Sequence, residues 1–113
     1  MNDFRENKSG IIYPEAIKRS VHAQAFYGVI LPILNENEEY DIEFIGDIAI
    51  KIAKIVQEHT KVDWSGNTDI HNAIAQDIDD LFYELEKDNK IKLPYEKIDK
   101  IIENVTTVAL KRF

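Results

Sequence analysis

Two pairs of carboxylates, each spaced three residues apart, have the spacing in this sequence best suited to metal chemistry. They are Glu36 with Glu39 and Asp77 with Asp80. Acids three apart share one face of a helix, and four of them together can hold Mg²⁺ for hydrolysis of a nucleotide. Glu36 and Glu39, however, fall in a predicted loop, and the second pair contains no glutamate. A solvated acidic face is the preferred interpretation, and a Mg²⁺-dependent hydrolase is a weaker alternative.

The three histidines lack the spacing of a carboxylate-bridged metal site. Such a site in a helical bundle uses Glu-x-x-His, and none of His22, His59 and His71 has an acid three residues before it. We expect His59 to close the second helix and the other two to be surface or partly buried residues. No metal ligand is predicted among them.

Other motifs that carry chemistry are missing or incomplete. The sequence has no cysteine, and its four glycines are isolated, with none preceding a lysine as in a phosphate loop. Residues 63–69 place oxygens at alternate positions like a calcium loop, but Ile74 at the twelfth position cannot coordinate. We therefore expect an Asx-type turn that leads into a helix, with Trp64 closing the end of the bundle. No catalytic residue and no cofactor site are predicted in this chain.

The charge is acidic overall but unevenly distributed. The 113 residues carry 14 Lys and Arg against 21 Asp and Glu, a net charge of −7. Residues 41–80 hold three basic and nine acidic side chains, whereas residues 81–113 hold seven and six. An acidic chain repels the DNA backbone, so we expect at most weak DNA contact. The candidate residues for weak phosphate or partner contact are Lys87, Lys90, Lys92, Lys97 and Lys100.

Helical periodicity dominates the chain, and strand alternation is nearly absent. We expect a leader or loop at residues 1–12 and one helical domain at residues 13–113. The first helix is predicted to start at Pro14 and run to Leu34, with a kink or break at Pro32. Because it is apolar on nearly every side, it should be the central and most buried helix. Its predicted core stripe is Ala16, Ala23, Phe26, Tyr27, Ile30 and Leu34, widened by Ile17, Val21 and Ala25.

Three further helices complete the predicted fold. They span about residues 41–59, 69–88 and 94–112, with a turn at residues 88–90. Tyr40 and Ile45 occupy the positions of a hydrophobic staple. The residues predicted to pack into the core form one seam on each helix. For the second helix they are Ile42, Ile45, Ala49, Ile52 and Val56; for the third, Ile70, Ile74, Ile78, Leu81 and Leu85; for the fourth, Ile98, Ile101, Ile102, Val105 and Val108. Four helices with mostly short connections predict an all-α, compact antiparallel bundle.

Nothing in the sequence suggests a membrane protein. The longest apolar run, residues 25–34, is too short to cross a bilayer and contains Pro32. The N-terminal residues lack the basic-then-apolar layout of a signal peptide. A cytoplasmic protein with no membrane partner is the expectation.

Three stretches in order give the sequence a resemblance to a known family. They are Ala25-Phe26-Tyr27-Gly28-Val29-Ile30, then Lys61-Val62-Asp63-Trp64, and then, after a helix and a Pro-Tyr, Lys97-Ile98-Asp99-Lys100-Ile101-Ile102. In this order they resemble the C-terminal helical region of the restriction (motor, R) subunit of type I restriction-modification enzymes. The resemblance covers most of the chain from about residue 13, and Val-Asp-Trp before a helix is its most specific part.

The resemblance implies a non-catalytic assembly module. The parent subunit is an ATP- and Mg²⁺-dependent DNA translocase and endonuclease, but its Pro-Asp…Glu-x-Lys nuclease site and Walker-type loops have no counterpart here. What is implied is a helical domain that contacts the other domains of the motor subunit and docks it onto the methyltransferase subunit. Two alternatives stay open: a free-standing helical interaction or regulatory protein, and an all-α Mg²⁺-dependent nucleotide pyrophosphohydrolase.

Overall fold

The described part of the chain forms a bundle of four helices, as the periodicity predicted. The computed structural model describes residues 17–36, 39–61 and 63–113. The helices are α1 (Val21–Leu34), α2 (Ile42–His59), α3 (Thr68–Lys87) and α4 (Tyr95–Arg112), and no strand occurs among these described residues. The all-α prediction is confirmed. The predicted leader at residues 1–12 lies outside the described residues.

The first helix begins later than the sequence pattern suggested. The residues before Val21 form a short turn that starts at Ile17, so an α-helix running through them from Pro14 is wrong. Ser20 caps α1 instead, because its Oγ accepts a hydrogen bond of 3.1 Å from the backbone N–H of Ala23. At the other end, Pro32 lies inside α1, and the helix ends two residues later at Leu34.

Helix α2 begins where it was predicted, with Asp41 at the cap position, but its first turn packs differently. Ile45 and the three later seam residues are buried, whereas Ile42 is 39% exposed at the solvent edge of the first turn. Tyr40 lies against Phe44, with ring centroids 5.9 Å apart. The aromatic contact at the start of α2 is therefore between residues four apart, which is one helical turn.

Helix α3 has Asn67 as its N-cap and Asp88 as its C-cap, with Asn89 directly after the C-cap. Asn67 Oδ1 accepts from the backbone N–H groups of Asp69 and Ile70, which is the predicted Asx-type turn. After the helix, the N–H of Lys90 donates to the carbonyl of Leu85 at 2.9 Å, and Asn89 takes a left-handed φ of 60°. These bonds form a Schellman-type end, and they confirm the turn at residues 88–90.

The core is one cluster to which all four helices contribute. Phe82 and Ala109 are fully buried although the predicted seams omitted them, and Trp64 is buried under the loop before α3. Helices α1 and α4 run antiparallel. Lys97 at the start of α4 reaches the end of α1, and Phe113 after α4 packs on His22 at the start of α1.

Candidate functional site: the groove between α1 and α4

The two acidic pairs do not come together. Glu36 follows the end of α1 and lies 3.3 Å from Lys97, whereas Asp77 lies in the middle of α3 with its Oδ2 2.7 Å from Nε2 of His59. Asp80 accepts a hydrogen bond from the Gln76 amide. No group of three or more histidines and acids able to hold a metal occurs in the described part of the chain. The proposed Mg²⁺ cluster is therefore wrong: the two pairs have separate partners.

Each histidine lies at a contact between elements. His59, at the end of α2, pairs with Asp77 on α3. His71 stacks on Trp64 with centroids 5.0 Å apart, and its Nε2 lies 3.0 Å from the carbonyl oxygen of Ser65. His22 packs on Phe113 at 4.5 Å, and its buried Nδ1 has no hydrogen-bond partner among the residues that the structure describes. These contacts hold helix ends and the 63–67 loop in place.

The five candidate lysines are distributed over two depressions and one helix end. Lys90 and Lys92 lie beside Tyr40 and Glu86 near the end of α3, and Lys87 is exposed in the last turn of that helix. Lys97 and Lys100 instead line a depression between α1 and α4. Lys97 is only 17% exposed, and it donates to the Ile33 carbonyl as well as pairing with Glu36.

The outer side of α1 is apolar along its whole length. Val21, Ala25, Gly28 and Pro32 repeat at spacings of four, three and four, so they form one stripe on the helix. Val21 is 63% exposed, Gly28 and Pro32 are exposed, and Ala25 is half-buried. Helix α1 contains no Asp, Glu, Lys or Arg. We call these four residues the α1 stripe.

Helix α4 lies beside the α1 stripe and contributes charged residues to two depressions. Near the end of α1, the depression between the two helices is lined by Val29, Pro32 and Asn104, together with Glu36, Glu96, Lys97 and Lys100. Near the start of α1, a second depression is lined by Ala25, Val108, Lys111 and Arg112. We call the two depressions together, with the α1 stripe, the α1–α4 groove. Charges are mixed at its first end and purely basic at its second.

The exposed stripe corrects one expectation about α1. The helix was expected to be central and most buried, and one of its sides is: Phe26, Tyr27 and Ile30 are at most 1% exposed. The opposite side, including Val21 of the predicted core, faces solvent. Hydrophobic periodicity did not predict this exposed surface, because a helix that is apolar on nearly every side has no polar face to identify the side that faces solvent. Gly28 and Pro32 are both poor helix formers, and they were the residues in the sequence that could have indicated an exposed side of α1.

Comparisons of the chain with protein-family models, curated proteins and solved structures found no match. None of the helices in the described segments combines the length and the apolar character that crossing a membrane requires.

Proposed function

We propose that this chain is a non-catalytic assembly module that docks a type I restriction motor subunit onto its methyltransferase core. The observation that carries the proposal is the α1 stripe, which no other described residue of the chain covers. Contiguous apolar surface is unfavourable in water and marks interaction sites on many proteins. An apolar helix side with no charged residue is suited to contact with another protein, and it offers no group for acid–base or metal chemistry.

The resembling stretches support the same assignment by their position. Residues 25–30 lie in α1 and include Ala25, Gly28 and Val29, whereas residues 97–102 lie in α4 and include Lys97 and Lys100. All five of these residues line the α1–α4 groove or belong to its stripe. The part of the chain that resembles the motor subunit therefore includes both walls of the candidate docking surface. Trp64, from the remaining stretch, lies in the loop before α3 and its side chain is buried.

The experiment that tests this proposal is reconstitution with the methyltransferase and specificity subunits encoded in the same genome. The purified chain is mixed with that core, and complex formation is followed by sedimentation velocity. A stoichiometric complex is expected, and excess chain should compete with the full motor subunit for the core. A core that sediments unchanged would contradict the proposal. Pyrophosphate release from nucleoside triphosphates with Mg²⁺, measured on the same preparation, distinguishes the hydrolase alternative.

A further inference from the structure

We infer that the α1–α4 groove receives an acidic amphipathic helix from the partner protein. This inference rests on the proposed assembly function and adds the chemistry of the partner surface. The groove has the two features that such a helix needs: an apolar surface of helical length and a pair of cations, Lys111 and Arg112, at one end.

The dimensions of this apolar surface suit a helix. From Val21 to Pro32 the α1 stripe covers three turns, or about 16 Å along the axis at 1.5 Å per residue. A partner helix of about 16 residues is about 24 Å long, so it spans this distance with about half a turn to spare at each end. Its apolar residues would lie on the stripe at i, i+3, i+4 and i+7, as in other helix-in-groove complexes.

Gly28 lies in the middle of α1, and the packing of the described helices does not explain why this residue is a glycine. A glycine in the middle of a helix costs about 1 kcal/mol relative to alanine. Among the described residues nothing requires it, since a Cβ built at Gly28 would lie more than 4 Å from every heavy atom outside its chain neighbours and the adjacent backbone of α1. A glycine on an exposed helix side does allow another backbone to approach closely. Close approach of a partner helix therefore accounts for a residue that otherwise only weakens α1.

The charges around the groove determine whether an acidic or a basic partner helix binds more favourably. Lys111 and Arg112 line the depression near the start of α1, with no acid among the described residues that line it. Lys97 and Lys100 at the other end are offset by Glu36 and Glu96. A partner helix with its acids beside Lys111 and Arg112 therefore has complementary charge. This preference is opposite to that of the whole chain, whose net charge of −7 attracts cations.

The test uses two synthetic peptides of about 16 residues and heteronuclear NMR of the full chain. Both peptides carry the same leucine stripe, with glutamate on the remaining positions of one and lysine on those of the other. The glutamate peptide is expected to shift amide signals in residues 21–32 and 97–112, and to bind more weakly as salt rises. Overall charge would favour the lysine peptide. Stronger binding of the lysine peptide, or no shifts in these segments with the glutamate peptide, would overturn the inference.

Matched variants connect the shifts to the groove. Gly28→Glu adds a carboxylate in open space on the stripe and should weaken binding of the glutamate peptide about tenfold or more. Gln57→Glu adds the same charge on the exposed side of α2 and should leave binding of the glutamate peptide unchanged. Lys111→Gln should weaken binding, whereas Lys54→Gln on α2 should not. Thermal unfolding of each variant separates lost binding from lost folding, and unchanged binding by folded Gly28→Glu overturns the inference.

The same variants distinguish failure of the groove from failure of the proposed function. If Gly28→Glu still joins the methyltransferase core with unchanged affinity, the assembly function stands and the groove assignment is wrong. If the glutamate peptide binds in the groove but the core does not bind the chain, the groove stands and the restriction assignment is wrong.

Discussion

Lys97 Nζ lies 3.3 Å from Glu36 Oε1 and 3.4 Å from the carbonyl oxygen of Ile33, joining the start of α4 to the end of α1. The two residues belong to different sequence hypotheses, since Glu36 was a possible Mg²⁺ ligand and Lys97 a possible phosphate contact. Their contact gives both a structural role. A cation near the last carbonyls of a helix is also favoured by the helix dipole.

Replacement of Lys97 should cost more stability than replacement of Glu36. Lys97→Ala removes a side chain that is only 17% exposed, together with its bond to the Ile33 carbonyl, and should lower the free energy of unfolding by about 1 kcal/mol. Glu36→Gln alters a side chain that is 64% exposed and should change it by less than about 0.5 kcal/mol. Urea denaturation followed by circular dichroism measures both. Equal losses would show that the ion pair, and not the helix-end contact, carries the stability.

Neighbouring residues of α4 should respond very differently to substitution. Ile101 is fully buried, so Ile101→Asp places an unpaired charge in the core and should cost about 3 kcal/mol or more, a large part of the roughly 5 to 15 kcal/mol that stabilises a typical domain. Lys100 is exposed, and Lys100→Ala should change stability by less than about 0.5 kcal/mol. Thermal unfolding of the pair checks this. Similar effects from the two would mean that the buried side of α4 is wrongly assigned.

Periodicity predicted α2, α3 and α4 well because each has a polar side that identifies its buried side. Ile45, Ile74 and Ile101 all lie in the core as expected. The predictions were less accurate at the start of α1, where hydrogen bonds from side chains to the nearby backbone determine which residue begins the helix. Ser20 Oγ accepts from the backbone N–H of Ala23, and the Gln24 side chain donates to the carbonyls of Ile17 and Lys18 before the helix. Such contacts depend on rotamers, which a pattern of hydrophobic residues does not contain.

The candidate site was less predictable than the fold because it depends on distances between helices. The spacing of Glu36, Glu39, Asp77 and Asp80 is compatible with a cluster, but the bundle gives Glu36 and Asp77 different partners. The α1–α4 groove could not be identified from α1 alone. It requires knowing that Val108 and Lys111 of α4 lie beside Ala25, which follows only from the antiparallel pairing.

The end of α3 offers a test of backbone strain. Asn89 adopts a φ of 60°, a conformation that glycine adopts freely and β-branched residues avoid. Asn89→Gly should leave stability unchanged or raise it by up to about 1 kcal/mol, whereas Asn89→Val should lower it by about 1 to 2 kcal/mol. Urea midpoints of the two variants measure the difference. A valine variant as stable as the glycine variant would contradict the left-handed assignment.

DNA binding by this chain is expected to be weak, and the structure gives a local reason in addition to the overall charge. Binding to a duplex requires several cations that contact phosphates together and release counterions. Here Lys90 and Lys92 share a depression with Glu86, and Lys97 and Lys100 share another with Glu36 and Glu96. Acids at such short range lie within the screening length of about 8 to 10 Å, so each cluster has little net attraction for a phosphate backbone.

Fluorescence anisotropy with a labelled duplex should therefore show no binding tighter than the micromolar range at physiological salt. Any residual binding should fall steeply as salt rises and should disappear when Lys87, Lys90, Lys92, Lys97 and Lys100 are all replaced by glutamine. Lys51→Gln with Lys54→Gln on α2 is the control, because it removes exposed cations outside this set and should leave the residual binding unchanged. Sub-micromolar binding at physiological salt would contradict the prediction, as would binding that survives loss of the five lysines. Either result would mean that the chain contacts DNA directly instead of acting only through protein docking. Binding that survives loss of the five lysines would also mean that other groups make this contact.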